Sequence, residues 1–130
     1  MFKRAASIPE NWHVLTGTDD IRQAIEKSFK KPVFIFKHST RCGLSAFAKS
    51  ELENWHKEGS QNTDIYYLDL IAHRSTSNEI SLTFETPHQS PQIIALVLGK
   101  SIGSISHSSI NSNDLDSLQK RSEGLLNNEH

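Results

Sequence analysis

The sequence predicts an α/β domain: a mixed four- to five-stranded sheet with helices on both faces. Three observations predict it. Pro32–Phe36 and Asp64–Leu70 have the bulk and β-branching of buried strands. Between them Leu44, Phe47, Ala48, Leu52 and Trp55 recur at steps of three and four, as on one face of a helix. Two strands joined through a helix argue for a parallel pair with a right-handed crossover. Gln92–Leu98 is nearly all apolar, as a strand covered on both faces would be, and Gly99–Lys100 offers a tight turn into an antiparallel partner.

The elements follow in order. Residues 1–11 are expected to form a loose arm leading to Trp12–Leu15, a short strand or packing segment that Gly17 ends. Thr18 offers an N-cap oxygen, with Asp19 and Asp20 in the first turn of a helix. Ile21, Ala24, Ile25 and Phe29 form its apolar stripe, Lys27, Lys30 and Lys31 complement its far end, and Pro32 stops it. The helix after the first buried strand should end near Gly59, in the polar stretch Glu58–Asn62. From His73 to Thr86 a helix is expected, with Thr76 and Glu79 at capping-box spacing and Ile80 and Phe84 on one face. Pro87–Pro91 reads as a loop. Ile102 and Ile105 break strict alternation in Ser101–His107, which suggests an edge strand. Asn111 caps a last helix that carries Leu115, Leu118, Leu125 and Leu126 inward, and Asn127 to His130 should fray. No repeat or linker divides the chain, so residues 1–130 read as one domain, of thioredoxin-like architecture.

The totals exclude several classes of function. A formal net charge of −1, with no block of Lys and Arg, gives nucleic-acid binding little support. No apolar run approaches the ~20 residues that span a bilayer, and Met1–Ala6 has basic charge without the apolar stretch of a signal peptide behind it. A single cysteine permits no intramolecular disulfide and suits a reducing compartment, so a cytoplasmic protein is expected.

That cysteine, Cys42, sits in Lys37-His38-Ser39-Thr40-Arg41-Cys42-Gly43-Leu44-Ser45, where a strand ends and a helix begins. The free N–H groups of a helix start favour thiolate over thiol, and positive charge from Arg41 and Lys37 pushes the same way. A thiol so placed is expected to be nucleophilic, its pKa lowered from ~8.5 to roughly 3.5–7.5. In Cys42-Gly43-Leu44-Ser45 a hydroxyl stands where a Cys-x-x-Cys pair has its second sulfur. Ser45 cannot close an internal disulfide, so exchange at Cys42 must end in a mixed disulfide that an external thiol releases. Seven histidines include His38, four residues before Cys42, but no second pair has zinc spacing, and a metal site in one chain is not expected.

The block Lys37–Cys42 with Ser45, together with His88-Gln89-Ser90-Pro91-Gln92 and Ser106-His107, resembles the YtxJ-type monothiol bacilliredoxins, thioredoxin-fold proteins of the bacillithiol system. The resemblance runs from about Trp12 to Leu118. It implies that Cys42 takes bacillithiol from a protein–bacillithiol mixed disulfide and frees the client thiol, with bacillithiol as co-substrate and bacillithiolated proteins as partners. It also implies a cis Ser90–Pro91 peptide facing Cys42, with the Ser90 backbone open to an extended thiol ligand. Lys37 and Arg41 would meet ligand carboxylates, since bacillithiol carries a malyl group; Arg74 is a weaker candidate of the same kind. His88 and His107 flank the proline loop and the last strand, where they could line the cleft and tune Cys42 through charge, although a hydrogen-bonded structural role is the stronger expectation for both. The family's usual residue after the cysteine is proline, where this chain has Gly43. Cys-Gly-Leu-Ser is similar to the Cys-Gly-Phe-Ser of monothiol glutaredoxins, which hold an iron–sulfur cluster between two subunits. Cluster carriage, and a fold that kept its shape without the chemistry, are therefore the alternatives.

Overall fold

The computed structural model describes residues 8–57 and 62–129. The elements are β1 (His13–Val14), α1 (Thr18–Lys27), β2 (Val33–His38), α2 (Gly43–Lys57), β3 (Asp64–Asp69), α3 (Arg74–Thr83), β4 (Gln92–Val97), β5 (Lys100–Ser106) and α4 (Ser112–Glu129). The sheet order is β1-β3-β2-β4-β5. β1 and β2 lie parallel to β3, whereas β4 is antiparallel to β2 and β5 to β4. This is the mixed five-stranded sheet that the two buried runs and the late turn predict.

The side chains of β2 alternate between two cores. Phe34 and Phe36 join Ala48, Leu52 and Trp55 of α2 and Leu115 and Leu118 of α4. Val33 and Ile35 join Ile21 and Ala24 of α1 and Ile80 of α3. Phe34 stacks on Trp55 with ring centroids 5.6 Å apart. Burial on both faces is why Val33–Phe36 of β2 and Ile93–Val97 of β4 are continuously apolar.

Several expectations need correction. Gly17, not Thr18, is the N-cap of α1. The Asp20 carboxylate accepts from the Thr16 and Gly17 N–H groups, and these bonds hold it below the usual carboxylate range. Thr18 instead donates to Glu79, and Thr76 Oγ1 donates to the Thr16 carbonyl. The Thr76–Glu79 spacing therefore ties α3 to α1 rather than capping α3, which starts two residues earlier. Leu44 and Phe47 are exposed, because α2 turns Ser45, Ala48, Leu52 and Trp55 inward. Phe29 lies beyond α1 and Leu125 on the outer side of α4, and both are partly exposed. The tight turn is Leu98–Gly99, both in the left-handed region, and a Cβ on Gly99 would come within 3.2 Å of the Phe29 ring.

Register explains the irregular β5 pattern. Ala95 pairs with Gly103 and Leu96 with Ser101, so Ile102 is an extra residue. That bulge lets Ile102 and Ile105, three apart, pack on the same core. Asn111 caps α4 as expected, accepting from the Asp114 N–H at 2.9 Å. α4 runs through Asn127 and Asn128 to Glu129 without fraying there, and His130 lies outside the described residues. Of the expected loose arm, residues 1–7 lie outside the described part; Ile8 packs on the core, and the Trp12 N–H bonds the Pro9 carbonyl. The expected end of α2 near Gly59 also falls outside, in residues 58–61. Among the described residues no helix is long and apolar enough to cross a membrane.

Candidate functional site

β2 ends at His38 and α2 begins at Gly43, and Cys42 stands between them. Its N–H donates to the Ser39 carbonyl at 3.2 Å, closing the turn, and its carbonyl accepts from Ala46 N–H at 3.0 Å as the first bond of α2. Cys42 is thus the N-cap residue, and its thiol is exposed. Arg41, Gly43 and Leu44 around it are exposed as well, and no acidic residue occupies the first turn of α2. An open thiol at a helix start without a carboxylate beside it suits attack on a large partner's disulfide better than reaction in a closed cavity.

Ser45 faces the other way. Its buried Oγ accepts from the Ser39 N–H at 2.9 Å and lies 2.9 Å from His38 Nδ1. One hydroxyl therefore holds the strand end and the helix start together beneath Cys42. His38 is buried on the α2 side, its ring against Phe36 and Tyr67. Burial, with the Lys49 charge second, pushes its pKa down, so the ring beside the Ser45 hydroxyl is favoured in its neutral form. The sequence reading considered His38 only as a metal ligand; its position at the end of an apolar strand was the signal for a packing role.

The antiparallel register brings Lys37 opposite Gln92. The Pro91 that precedes β4 therefore lies at the same end of the sheet as the turn carrying Cys42, as the fold argument expects. The Ser90–Pro91 peptide is cis. Ser90 is partly buried, and among the described residues its Oγ has no hydrogen-bond partner. Gln92, which the motif block includes without a role, closes the loop: its side chain accepts from the Gln89 N–H and donates to the Pro87 carbonyl at 3.0 Å. A lone glutamine opening an apolar strand was the available clue.

Lys37 is not on the rim. It is fully buried, its Nζ 3.1 Å from the Ser77 carbonyl, 2.9 Å from Ser81 Oγ and 3.2 Å from His88 Nδ1. Period-2 alternation sends its side chain to the α3 side of the sheet, whereas α2 packs on the other. Burial lowers its pKa to about 8. His88 is exposed on the loop, with its pKa pushed down by burial, then by the charges of Lys37 and Arg74. Arg41 is exposed beside Cys42 and Arg74 is exposed at the start of α3, so both are available to an anionic ligand. His107 lies past β5, in a single turn of 3-10 helix. Among the described residues no three His, Cys, Asp or Glu side chains gather as a metal site requires.

A cysteine at the start of the second helix, at the same end of a five-stranded mixed sheet as a cis-proline loop, defines the class: thioredoxin-fold thiol oxidoreductases with a single cysteine. A solved structure described as a candidate oxidoreductase with a thioredoxin fold matches with a TM-score of 0.74 at 30% identity, over 83% of this chain and 93% of the other. Thioredoxins of Fasciola hepatica and Malassezia sympodialis share the fold at 16% identity, with TM-scores of 0.67 and 0.69. They cover 85% and 90% of this chain and 98% and 96% of their own. The model of the family "Monothiol bacilliredoxin BrxC" matches residues 13–115, and the chain belongs to that family.

Proposed function

We propose that this protein removes bacillithiol from protein mixed disulfides by monothiol exchange at Cys42. The observation that carries the reading is the solvent-open Cys42 at the α2 N-cap, in a chain with no second cysteine. The unpaired N–H groups of the first turn and the Arg41 charge favour its thiolate. That thiolate attacks the bacillithiol sulfur of the client's mixed disulfide. The client–sulfur bond breaks, the client leaves as a thiolate and takes a proton from water, and bacillithiol is now bonded to Cys42. No net oxidation occurs in this step. A second, external thiol must then free Cys42, since Ser45 offers only a hydroxyl, and that hydroxyl is engaged with Ser39 and His38.

The site accommodates both partners in this reading. The loop at Ser90–Pro91 lies across from Cys42 and offers backbone to an extended ligand, and Arg41 and Arg74 supply positive charge for the malyl carboxylates. Incubation with a bacillithiolated client, followed by intact-mass analysis, tests the proposal. The expected result is one bacillithiol on Cys42 and an equal amount of reduced client, both lost in Cys42→Ser. A client that stays modified in the presence of the wild-type protein would overturn it. A brown, Cys42-dependent dimer after anaerobic reconstitution would instead support the cluster-carrying alternative.

A further inference from the structure

Lys37 follows the apolar run Val33–Phe36 within β2, and it is fully buried. Among the described residues no carboxylate pairs with it, although burying an unpaired charge is costly. Its three ammonium hydrogens have three acceptors: the Ser77 carbonyl, Ser81 Oγ and His88 Nδ1. An ammonium has no lone pair, so the His88 nitrogen that meets it must be the unprotonated one. The other nitrogen, Nε2, then carries the ring proton. His88 belongs to the loop that leads into Ser90–Pro91, at the Cys42 end of the sheet.

We infer that Lys37 is a positioning residue: its ammonium holds His88 as the neutral Nε2–H tautomer and ties the loop before Pro91 to α3. The tether is exclusive of acid, because a protonated His88 has no lone pair left to accept it. The charged groups that act on His88 are Lys37 from β2 and Arg74 from α3, both positive, and both oppose its protonation. The loop would thus be fastened above the His88 midpoint and released below it, independently of the state of Cys42. The effect on exchange rests on the function proposed above; the tautomer does not.

Nitrogen-15 NMR of the histidine rings in the whole protein, with His88 assigned through His88→Gln, reads the tautomer directly. The expected spectrum has a bare Nδ1 and a protonated Nε2, with a midpoint below the ordinary ~6.5. In Lys37→Met the midpoint should rise towards that value, and the tautomer should become mixed. Release of a bacillithiolated client should fall several-fold, while alkylation of Cys42 stays unchanged. A protonated Nδ1 in the neutral wild-type ring would overturn the inference, as would a midpoint that ignores Lys37→Met. The wild-type spectrum decides even if the variant folds poorly. A normal tautomer result with no adduct on wild-type Cys42 would fault the proposed function and leave the tether standing.

Discussion

Replacing Lys37 with methionine removes a buried charge and keeps most of the side chain's bulk. Burial lowers the Lys37 pKa from 10.5 to about 8, so the folded state disfavours its ammonium. The sign follows from proton counting. Between the folded and unfolded values the unfolded chain binds the extra proton, so wild-type stability gains from this group as pH rises through that window. At pH 7 both states are protonated and the penalty is fully present, roughly 3 kcal/mol at 1.36 kcal/mol per unit. By pH 10 most of it is relieved, leaving about 1 kcal/mol. The acceptors left behind cost little: the Ser81 hydroxyl lies 3.4 Å from the Ser77 carbonyl, and His88 is open to water. Lys37→Met should therefore gain relative to wild type by about 2 kcal/mol more at pH 7 than at pH 10. Urea unfolding of both proteins at the two pH values measures this, and groups common to both cancel. An equal difference at both values would refute the argument. Greater stability with impaired exchange would mean that the lysine is kept for function rather than for folding.

Three further outcomes follow from the site. Ser45→Ala removes the oxygen that accepts the Ser39 N–H and leaves a buried His38 nitrogen unpaired, so urea unfolding should show a loss of about 1–3 kcal/mol. Gly43→Pro should fold and gain roughly 0.4–1 kcal/mol, because Gly43 is the first residue of α2 and nothing lies within 4 Å of its absent Cβ. A lower unfolding midpoint for Gly43→Pro would contradict the geometry at this turn. Burial and the Lys49 charge lower the His38 pKa, so the unfolded chain binds this proton first as pH falls below ~6.5 and stability declines there. His38→Asn should flatten that decline, which unfolding curves at several pH values between 7 and 5 would reveal.

The core of the sheet was legible because Val33–Phe36 of β2 and Ile93–Val97 of β4 are buried on both faces and read as unbroken apolar runs. Cys42 was legible for a related reason: a polar block between a buried strand and a helical repeat has to be the turn that joins them. What sequence could not show was direction. Leu44 and Phe47 have the spacing of a buried stripe, yet the orientation of α2 is set by Ser45, Ala48, Leu52 and Trp55, which leaves Leu44 and Phe47 outward. Lys37 was misplaced because its charge suggests surface, whereas strand alternation puts it inside against α3. The Thr76–Glu79 pair carries the spacing of a cap but bonds to α1, because its partners lie some sixty residues away in sequence. Spacing along one element records local pairing only.

Intact mass after treatment of the wild-type protein and of Cys42→Ser with bacillithiol disulfide tests the central claim most directly. One bacillithiol adduct on the wild-type protein and none on Cys42→Ser is the predicted result. A wild-type protein that stays unmodified would contradict the account.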